Sequence, residues 1–263
     1  MYVGIDVGGT NVKIASFTDI VNPELLEFKK FDINNDYKLD IKNILHSIEK
    51  IATEDLKGVG IGVPGTLTEA KREILICPNL MDWNGKKITS DLESVLGCRV
   101  RAENDTTLAS LGEAEYGIGK DQDFIFLIWG TGVGGAEIKH LNNKLYVFSF
   151  EPGHQYVKGE EELEYLVGGA GIYRRFGKSP ADLTEPEWSE ILPVLSVGVV
   201  NMLLIRPTKL IIFGGGIALN KPEKVDRLHA MLKDKLKMFP VPKFKISRLG
   251  EKAALFGSLT LFG

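Results

Sequence analysis

The N-terminal stretch reads Tyr2-Val-Gly-Ile-Asp-Val-Gly-Gly-Thr-Asn-Val-Lys-Ile-Ala-Ser-Phe17. Its apolar residues predict one strand over Tyr2–Val7 and another over Val12–Phe17, with a tight turn through Gly8-Gly9-Thr10. Because no helix fits between the two strands, we expect them to pair as a hairpin. Clustered glycines at such a turn let backbone N–H groups approach an anion closely, so the turn is a candidate phosphate site.

Similar glycine turns occur twice more in the chain. Gly130–Gly135 follows a predicted strand at Phe124–Trp129, precedes another at Leu145–Ser149, and shares four of its six residues with Gly4–Gly9. Gly214-Gly-Gly216 follows a predicted strand at Lys209–Phe213. Any one of these could be a simple turn between strands. Three of them together favour a nucleotide site, and the match between Gly4–Gly9 and Gly130–Gly135 suggests two related halves. A further glycine cluster at 168–171 has no predicted contact.

Hydrophobic periodicity places the remaining elements. Strands are expected at Gly58–Val63 and Arg99–Glu103, and Asn104-Asp105 is expected to start a helix because Asp is a good N-cap. The predicted helices cover residues 37–52, 88–96, 105–116, Glu161–Phe176, Trp188–Ile205, 222–238 and 251–261.

Composition excludes several classes of protein. Glycine makes up 29 of the 263 residues, about 11% where an average chain has roughly 7%. The net charge of −3 argues against a duplex nucleic-acid binder. The two cysteines, Cys77 and Cys98, cannot form a disulfide framework or a four-cysteine zinc site. No charged leader precedes an apolar stretch at the N-terminus, and the apolar tract Leu192–Ile205 is short for a membrane span. A cytoplasmic protein without a membrane partner is expected.

Two familiar phosphate motifs do not fit. A P-loop needs Gly-Lys-Ser/Thr, and neither Gly9-Thr10 nor Gly135-Ala136 supplies the lysine. Gly130, Gly132 and Gly135 match a dinucleotide fingerprint, but that motif requires a helix next. Here residues 136–148 predict a strand, an Asn-Asn turn and a second strand.

The glycine loops resemble those of a known superfamily. Asp6-Val-Gly-Gly-Thr10, Gly130-Thr-Gly132 and Gly214-Gly-Gly216 are similar to the two phosphate loops and the adenosine loop of actin-like ATPases and sugar kinases. More narrowly, the chain resembles the ROK family (repressors, open reading frames, kinases), which includes bacterial glucokinases. Six further stretches occur in the family's order and cover nearly the whole chain: Gly62-Val-Pro-Gly65, Pro78-Asn79, Glu103-Asn-Asp105, Gly112-Glu113, Glu151-Pro-Gly-His154 and Leu163-Glu164.

The resemblance implies an α/β fold of the two-lobed actin-like ATPase (ribonuclease H-like) type, with mixed sheets flanked by helices and a central cleft. Residues 1–108 plus 248–263 would form the N-terminal lobe, with phosphate loop 1, the catalytic aspartate and part of the sugar site. Residues 109–247 would form the C-terminal lobe, with phosphate loop 2, the adenosine loop and the rest of the sugar site.

The implied activity is phosphoryl transfer from ATP to a hexose hydroxyl, with glucose 6-OH as the first choice and Asp105 as general base. The implied sugar-binding residues are Gly65, Asn79, Asn104, Asp105, Glu151, His154 and Glu164. The implied nucleotide-binding residues are Asp6, Gly8, Gly9, Thr10, Asn11, Lys13, Gly130, Thr131, Gly132, Gly214, Gly215 and Gly216. Asp6 would lie near Mg²⁺ through water, and ATP would be the co-substrate.

Each role has a simpler structural alternative. Asp105 could merely cap its helix, Glu151 or Glu164 alone could be an exposed charge, and Lys13 could be solvated. His154 could be an interior histidine. The lysines at 233, 235 and 237 favour a solvated helix face over a polyphosphate track.

One departure from the family affects the choice of phosphoryl donor. Typical members carry a cysteine-rich zinc loop after the Gly-His pair, whereas here nine residues without cysteine, Gln155–Leu163, separate His154 from Glu164. No zinc is therefore expected. A zinc-free version is also similar to polyphosphate-using glucokinases of the same group, so polyphosphate is an alternative donor.

Other functions and substrates stay open. A sugar-sensing relative without turnover is one rival, although Asp6 lies too near Met1 for a preceding DNA-binding module. An actin-type ATPase scaffold is another. Mannose, fructose or an N-acetyl sugar could replace glucose. A homodimer is implied only by the resemblance, because it is the usual state of family members.

Overall fold

The computed structural model describes residues 1–52, 55–142 and 144–263. The chain forms two compact units, unit 1 comprising Met1–Tyr116 with Lys252–Gly263, and unit 2 comprising Gly117–Glu251. A division at residue 108 would fall inside a helix, Asp105–Glu115, that lies wholly in unit 1.

Unit 1 is built on a five-stranded mixed sheet in the order β3-β2-β1-β4-β7. Its strands are β1 (Tyr2–Val7), β2 (Asn11–Phe17), β3 (Leu25–Asp32), β4 (Gly58–Val63) and β7 (Arg99–Asn104). The first three are antiparallel neighbours, which confirms the hairpin, while β4 pairs parallel with β1 and β7 parallel with β4. Three strands were not predicted: β3 and the short hairpin β5 (Thr66–Leu67) and β6 (Ile74–Ile76). As an edge strand, β3 is largely exposed and lacks a buried apolar run.

The helices of unit 1 are α1 (Tyr37–Ile51), α2 (Ile88–Leu96), α3 (Asp105–Glu115) and α9 (Ala253–Leu259). α9 packs against α3 and β1. The two helix backbones come very close, because a Cβ on Gly257 would overlap the carbonyl oxygen of Leu108, and one on Gly112 would overlap that of Ala253. Glycine is needed at both positions for this packing.

Unit 2 repeats the arrangement in a sheet of order β10-β9-β8-β13-β14. Its strands are β8 (Phe124–Trp129), β9 (Val133–Leu141), β10 (Lys144–Phe150), β13 (Leu210–Gly214) and β14 (Lys243–Ile246). Again three antiparallel strands lead to two parallel ones. β9 starts at Val133, so Gly134 and Gly135 belong to the strand and not to the turn. One residue of the predicted Asn-Asn turn, Asn143, lies outside the described residues.

The helices of unit 2 are α4 (Leu163–Val167), α5 (Gly169–Phe176), α6 (Glu185–Ile205), α7 (Gly216–Asn220) and α8 (Pro222–Lys235). A single helix over Glu161–Phe176 is therefore wrong. Glu161–Glu162 forms β12, which pairs with β11 (Tyr156–Lys158). Gly168, with extended backbone at φ −72° and ψ 154°, separates α4 from α5.

Helix α6 accounts for the most apolar part of the sequence. It is 21 residues long, and a capping box between Thr184 and Glu187 starts it three residues before the predicted Trp188. By length and composition it could cross a membrane, but half of its apolar window is buried inside the protein. Ile191, Leu195 and Val199 lie in the hydrophobic core of unit 2. Core packing thus explains its composition.

Candidate active site

The predicted phosphate loop 1, Gly8–Thr10, joins β1 to β2 in unit 1, with Gly8 N–H donating to the Asn11 carbonyl at 2.9 Å. Asp6 and Lys13 face each other across the two strands, and Lys13 Nζ donates to Asp6 Oδ2 at 2.7 Å. Lys13 is therefore paired and mostly buried, with 17% of its side chain exposed, and is not a solvated lysine. A Cβ on Gly9 would touch Asn79 Cβ at 3.4 Å, which places Asn79 beside the loop.

Asp105 is the first residue of α3, where β7 ends. The N-cap is Asn104, whose Oδ1 accepts from Thr107 N–H at 3.0 Å, so the prediction that Asp105 caps the helix is wrong. The Asp105 carboxylate instead accepts from its neighbour, Thr106 N–H, at 2.7 Å. A helix N-terminus favours a negative charge at this position.

Asn104 also ties this helix start to the loop after β4. Its Nδ2 donates to the Gly65 carbonyl at 3.1 Å. Gly65 has φ +90°, and a Cβ there would overlap the Ile76 carbonyl oxygen, so the position needs glycine. Burial raises the pKa of Cys77 to about 11, and the charge of Asp105 adds to the rise. Gly65, Asn104, Asp105 and the segment from Cys77 to Asn79 are thereby brought together, although no sequence pattern pointed to Cys77.

In unit 2, phosphate loop 2 is held by backbone hydrogen bonds. Gly130 N–H donates to the Gly132 carbonyl at 3.0 Å. The first turn of α5 reaches the same loop, since Gly169 N–H donates to the Gly130 carbonyl at 2.8 Å and Ala170 N–H to the Thr131 carbonyl at 3.0 Å. The glycine cluster at 168–171 thus acquires a contact that the sequence did not reveal.

The predicted adenosine loop, Gly214–Gly216, lies beside the predicted phosphate loop 2, Gly130–Gly132. A Cβ on Gly130 would come within 3.2 Å of Gly216 N. Gly215 has φ +86°, and a Cβ there would lie 2.6 Å from the Trp129 carbonyl carbon. Two of the three predicted nucleotide segments therefore adjoin each other within unit 2.

Three predicted sugar-binding residues also gather in unit 2. Glu164 Oε2 accepts from Val133 N–H at 2.7 Å, which holds its carboxylate against phosphate loop 2. Glu151 is exposed as a whole residue, but partial desolvation of its carboxylate raises its pKa. The charge of His154 opposes this rise, and that of Glu164 adds to it. The pKa of His154 is raised chiefly by a hydrogen bond with Glu162, and the charges of Glu164 and Glu151 contribute further.

His154 is not an interior histidine, because half of its side chain is exposed. Its Nδ1 lies 2.8 Å from Glu162 Oε2. Sequence reasoning missed Glu162 as the partner of a predicted sugar-binding residue, since its position depends on the hairpin of β11 and β12. Within the described part of the chain, no group of three or more His, Cys, Asp and Glu side chains is arranged to hold a metal ion.

The chain belongs to the ROK family, whose model matches residues 2–263. It is similar to the glucokinase of Thermotoga maritima, with 30% identity over 147 residues that cover 52% of this chain and 44% of the relative. It is also similar to the N-acetyl-D-glucosamine kinase of Aliivibrio salmonicida, with 33% identity over 163 residues, 61% of this chain and 51% of the relative. These alignments thus span about half the length of the relatives.

Regulators and solved structures match as well. The xylose repressor of Caldicellulosiruptor bescii is 26% identical over 193 residues, 69% of this chain and 47% of the relative. A ROK family glucokinase from Streptomyces griseus, solved in complex with glucose and AMPPNP, has a TM-score of 0.85 and 22% identity, covering 99% of this chain and 98% of that one. The α/β actin-like ATPase fold, with mixed sheets and flanking helices, is confirmed.

Proposed function

We propose that this protein is a sugar kinase that transfers a phosphoryl group from ATP to a hexose hydroxyl, with glucose 6-OH as the preferred acceptor. The observation that carries the proposal is the placement of Asp105 at the start of α3, with Asn104 capping the helix and binding the Gly65 carbonyl. The kinases among the similar proteins support this proposal. The match to a repressor supports the alternative, a sugar sensor without turnover.

Asp105 would act as the general base. Phosphoryl transfer needs a group that accepts the proton of the attacking hydroxyl, and a carboxylate held within hydrogen-bond reach can do so. A hydrogen bond from Thr106 N–H orients Oδ1 of Asp105. The neighbouring Asn104, Gly65 and Asn79 would position the sugar.

The proposal assigns further sugar contacts to Glu151, His154 and Glu164. Hydroxyl groups are recognised by paired hydrogen bonds, because a buried polar group left unpaired is costly. The two carboxylates are acceptors, and His154 can donate through Nε2 while its Nδ1 is held by Glu162. Glu162 would thereby orient this imidazole in a chain that has no cysteine between His154 and Glu164.

The nucleotide phosphates would bind the backbone of the glycine loops, at Gly8 to Asn11 and at Gly130 to Gly132. The adenosine part would bind at Gly214 to Gly216. Thr10 and Thr131 would donate from their hydroxyls. Bound Mg²⁺ would neutralise charge on the phosphates and retains most of its water. Asp6 is already paired with Lys13, so an indirect contact between Asp6 and Mg²⁺ through water would fit this arrangement.

A coupled assay of ADP release tests the proposal with glucose, mannose, fructose and N-acetylglucosamine as acceptors. We expect sugar-dependent ADP formation, fastest with glucose. The same reactions with polyphosphate in place of ATP, read as sugar phosphate formed, test the alternative donor. Sugar binding without turnover from either donor would refute the kinase and favour the sensor. Location in the cytoplasm and a homodimer stay predictions.

A further inference from the structure

Unit 1 carries a cavity outside the residues assigned to the sugar and nucleotide. It lies along the edge strand β7, is also bordered by α2 and the turn between β5 and β6, and has a volume of about 430 Å³. We call it the β7 groove. Its charged side chains are Lys71, Arg72, Glu93, Arg99, Arg101 and Glu103.

The β7 groove has an excess of positive charge. Its four basic and two acidic side chains give a net charge of +2, whereas the whole chain has −3. Among the residues that the structure describes, Arg99 and Arg101 form no ion pair. Arg101 instead donates to the Leu261 carbonyl and lies over the Phe262 ring, 5.4 Å from its centroid. Both guanidinium groups keep donors for an anion.

The two ion pairs of the groove are open to competition. Lys71 Nζ lies 2.8 Å from Glu103 Oε1, and Arg72 Nη2 lies 2.5 Å from Glu93 Oε2. About half of each basic side chain is exposed. Exposed ion pairs of this kind contribute little to stability. A ligand with more charge than a carboxylate can therefore displace Glu103 or Glu93 from its partner.

The turn that presents Lys71 has an unusual backbone. Lys71 has φ +55°, a left-handed conformation that non-glycine residues adopt uncommonly. Its N–H donates to the Thr68 carbonyl at 2.8 Å, which closes the turn. The turn thereby places Lys71 and Arg72 on the rim of the groove.

We propose that the β7 groove binds a small anion that carries a phosphoryl group. Guanidinium groups match phosphoryl oxygens with paired, charge-assisted hydrogen bonds, and the groove offers three of them with one ammonium group. Its volume falls in the range of small-molecule sites. Inorganic phosphate, pyrophosphate and a hexose phosphate share the chemistry that it recognises.

Anion binding in the β7 groove would affect the surroundings of Asp105. The expected effect on turnover rests on the proposed function, whereas the anion binding does not. Glu103 Oε1 accepts from Asn104 N–H at 2.9 Å as well as from Lys71. Asn104 is the cap of α3 and precedes Asp105. An anion that takes Lys71 from Glu103 changes the charge balance next to this cap, so we expect it to alter turnover.

Calorimetric titration of the full chain with inorganic phosphate, pyrophosphate and glucose 6-phosphate tests the proposal and separates these sources. The test variant is Arg72→Gln/Arg99→Gln, which removes two guanidinium groups without touching Asn104 or Asp105. The control is Lys38→Gln/Lys42→Gln, an equal charge change on the exposed side of α1. We expect at least one probe to bind the wild type and the control with equal affinity. The same probe should bind the test variant with an affinity lower by a factor of about ten or more.

Equal binding to both variants would overturn the proposal, since the phosphate would then be bound elsewhere, for example at the glycine loops. So would the absence of binding by all three probes. Sugar-dependent ADP release, measured without added phosphate, should be the same in both variants. If the wild type lacks turnover but the titrations differ as expected, the groove is supported and the proposed kinase function fails.

Discussion

Asp105 is the residue on which the proposed chemistry depends. Asp105→Asn keeps the size of the side chain and the Asn104 cap of α3 but removes the proton acceptor. We expect kcat to fall by about 10²- to 10⁴-fold, while the dissociation constant for sugar changes little. Steady-state kinetics together with direct titration of sugar would measure both quantities.

The matched control for that variant is Asp32→Asn on the exposed edge strand β3, which should keep normal kcat. A near-normal rate for Asp105→Asn would remove Asp105 as the base. A loss of kcat with an equal loss of sugar binding would indicate a structural role instead.

His154 should show a pH dependence that reports on its bond to Glu162. Its pKa is raised above the usual 6.5, first by that hydrogen bond. The stabilisation is therefore complete below pH 6.5 and is lost as the pH rises through the folded-state pKa. We expect Glu162→Gln to lower the His154 pKa measured by NMR titration, and to cost more stability at pH 5.5 than at pH 8.5.

Glu161→Gln is the control, because this neighbouring residue on β12 has no bond to His154 in the described structure. An unchanged His154 titration in Glu162→Gln would contradict the assigned pair.

At this scale the sequence pointed to Asp105 and His154 but not to the local contacts that position them. Asn104 and Asp105 are both good N-caps, and the backbone conformation at the end of β7 selects Asn104. Glu162 comes near His154 through the turn between β11 and β12, which short-range patterns did not predict.

At the scale of elements, the crossing of α3 and α9 is sensitive to one methyl group. A Cβ at position 257 overlaps the backbone of Leu108, and backbone cannot move aside as a side chain can. We expect Gly257→Ala to destabilise unit 1 by about 1–3 kcal/mol or more, measured by chemical denaturation.

Gly216→Ala, at the start of α7, is the comparison because a Cβ there meets nothing within 4 Å. This substitution should leave stability unchanged or raise it slightly. Equal stability of the two variants would show that the helices can separate to admit a methyl group.

The periodic segment of α1 and the short apolar run of β4 predicted their elements well. The stretch from Glu161 to Phe176 did not, because Gly168 interrupts a helical pattern without the proline that usually signals a break. Gly168 also packs closely against phosphate loop 2, where a Cβ would lie 3.0 Å from the Thr131 carbonyl oxygen, and no local pattern in the sequence predicts this contact.

At the scale of the whole molecule, nucleotide should raise the stability of the folded chain. A ligand that binds only the native state adds about 2.7 kcal/mol at one hundred times its dissociation constant. We expect Mg-ATP to raise the midpoint of thermal unfolding in a concentration-dependent way. Mg-GTP and polyphosphate are the comparisons, and a shift with polyphosphate alone would replace ATP as the proposed donor.

The internal repeat of four glycine-loop residues predicted two related halves, and both sheets have the same strand order. The return of the C-terminal segment to unit 1 was implied only by the resemblance, since no local pattern predicts it. It depends on α9 packing against α3, a contact between segments more than 130 residues apart in the chain.

The hydrogen bonds from α5 to phosphate loop 2 have a consequence for how variants would be interpreted. A mutational screen for nucleotide binding should recover substitutions at Gly168 and Gly169. An added Cβ at Gly168 would crowd the Thr131 carbonyl oxygen, and one at Gly169 would crowd the Gly130 carbonyl oxygen, to which the Gly169 N–H donates. Such variants would bind nucleotide weakly, as if a residue in contact with it had been changed, although the substituted residues do not have to contact the nucleotide. Comparison with substitutions of Thr131 itself would distinguish residues that position the loop from a residue that contacts the nucleotide.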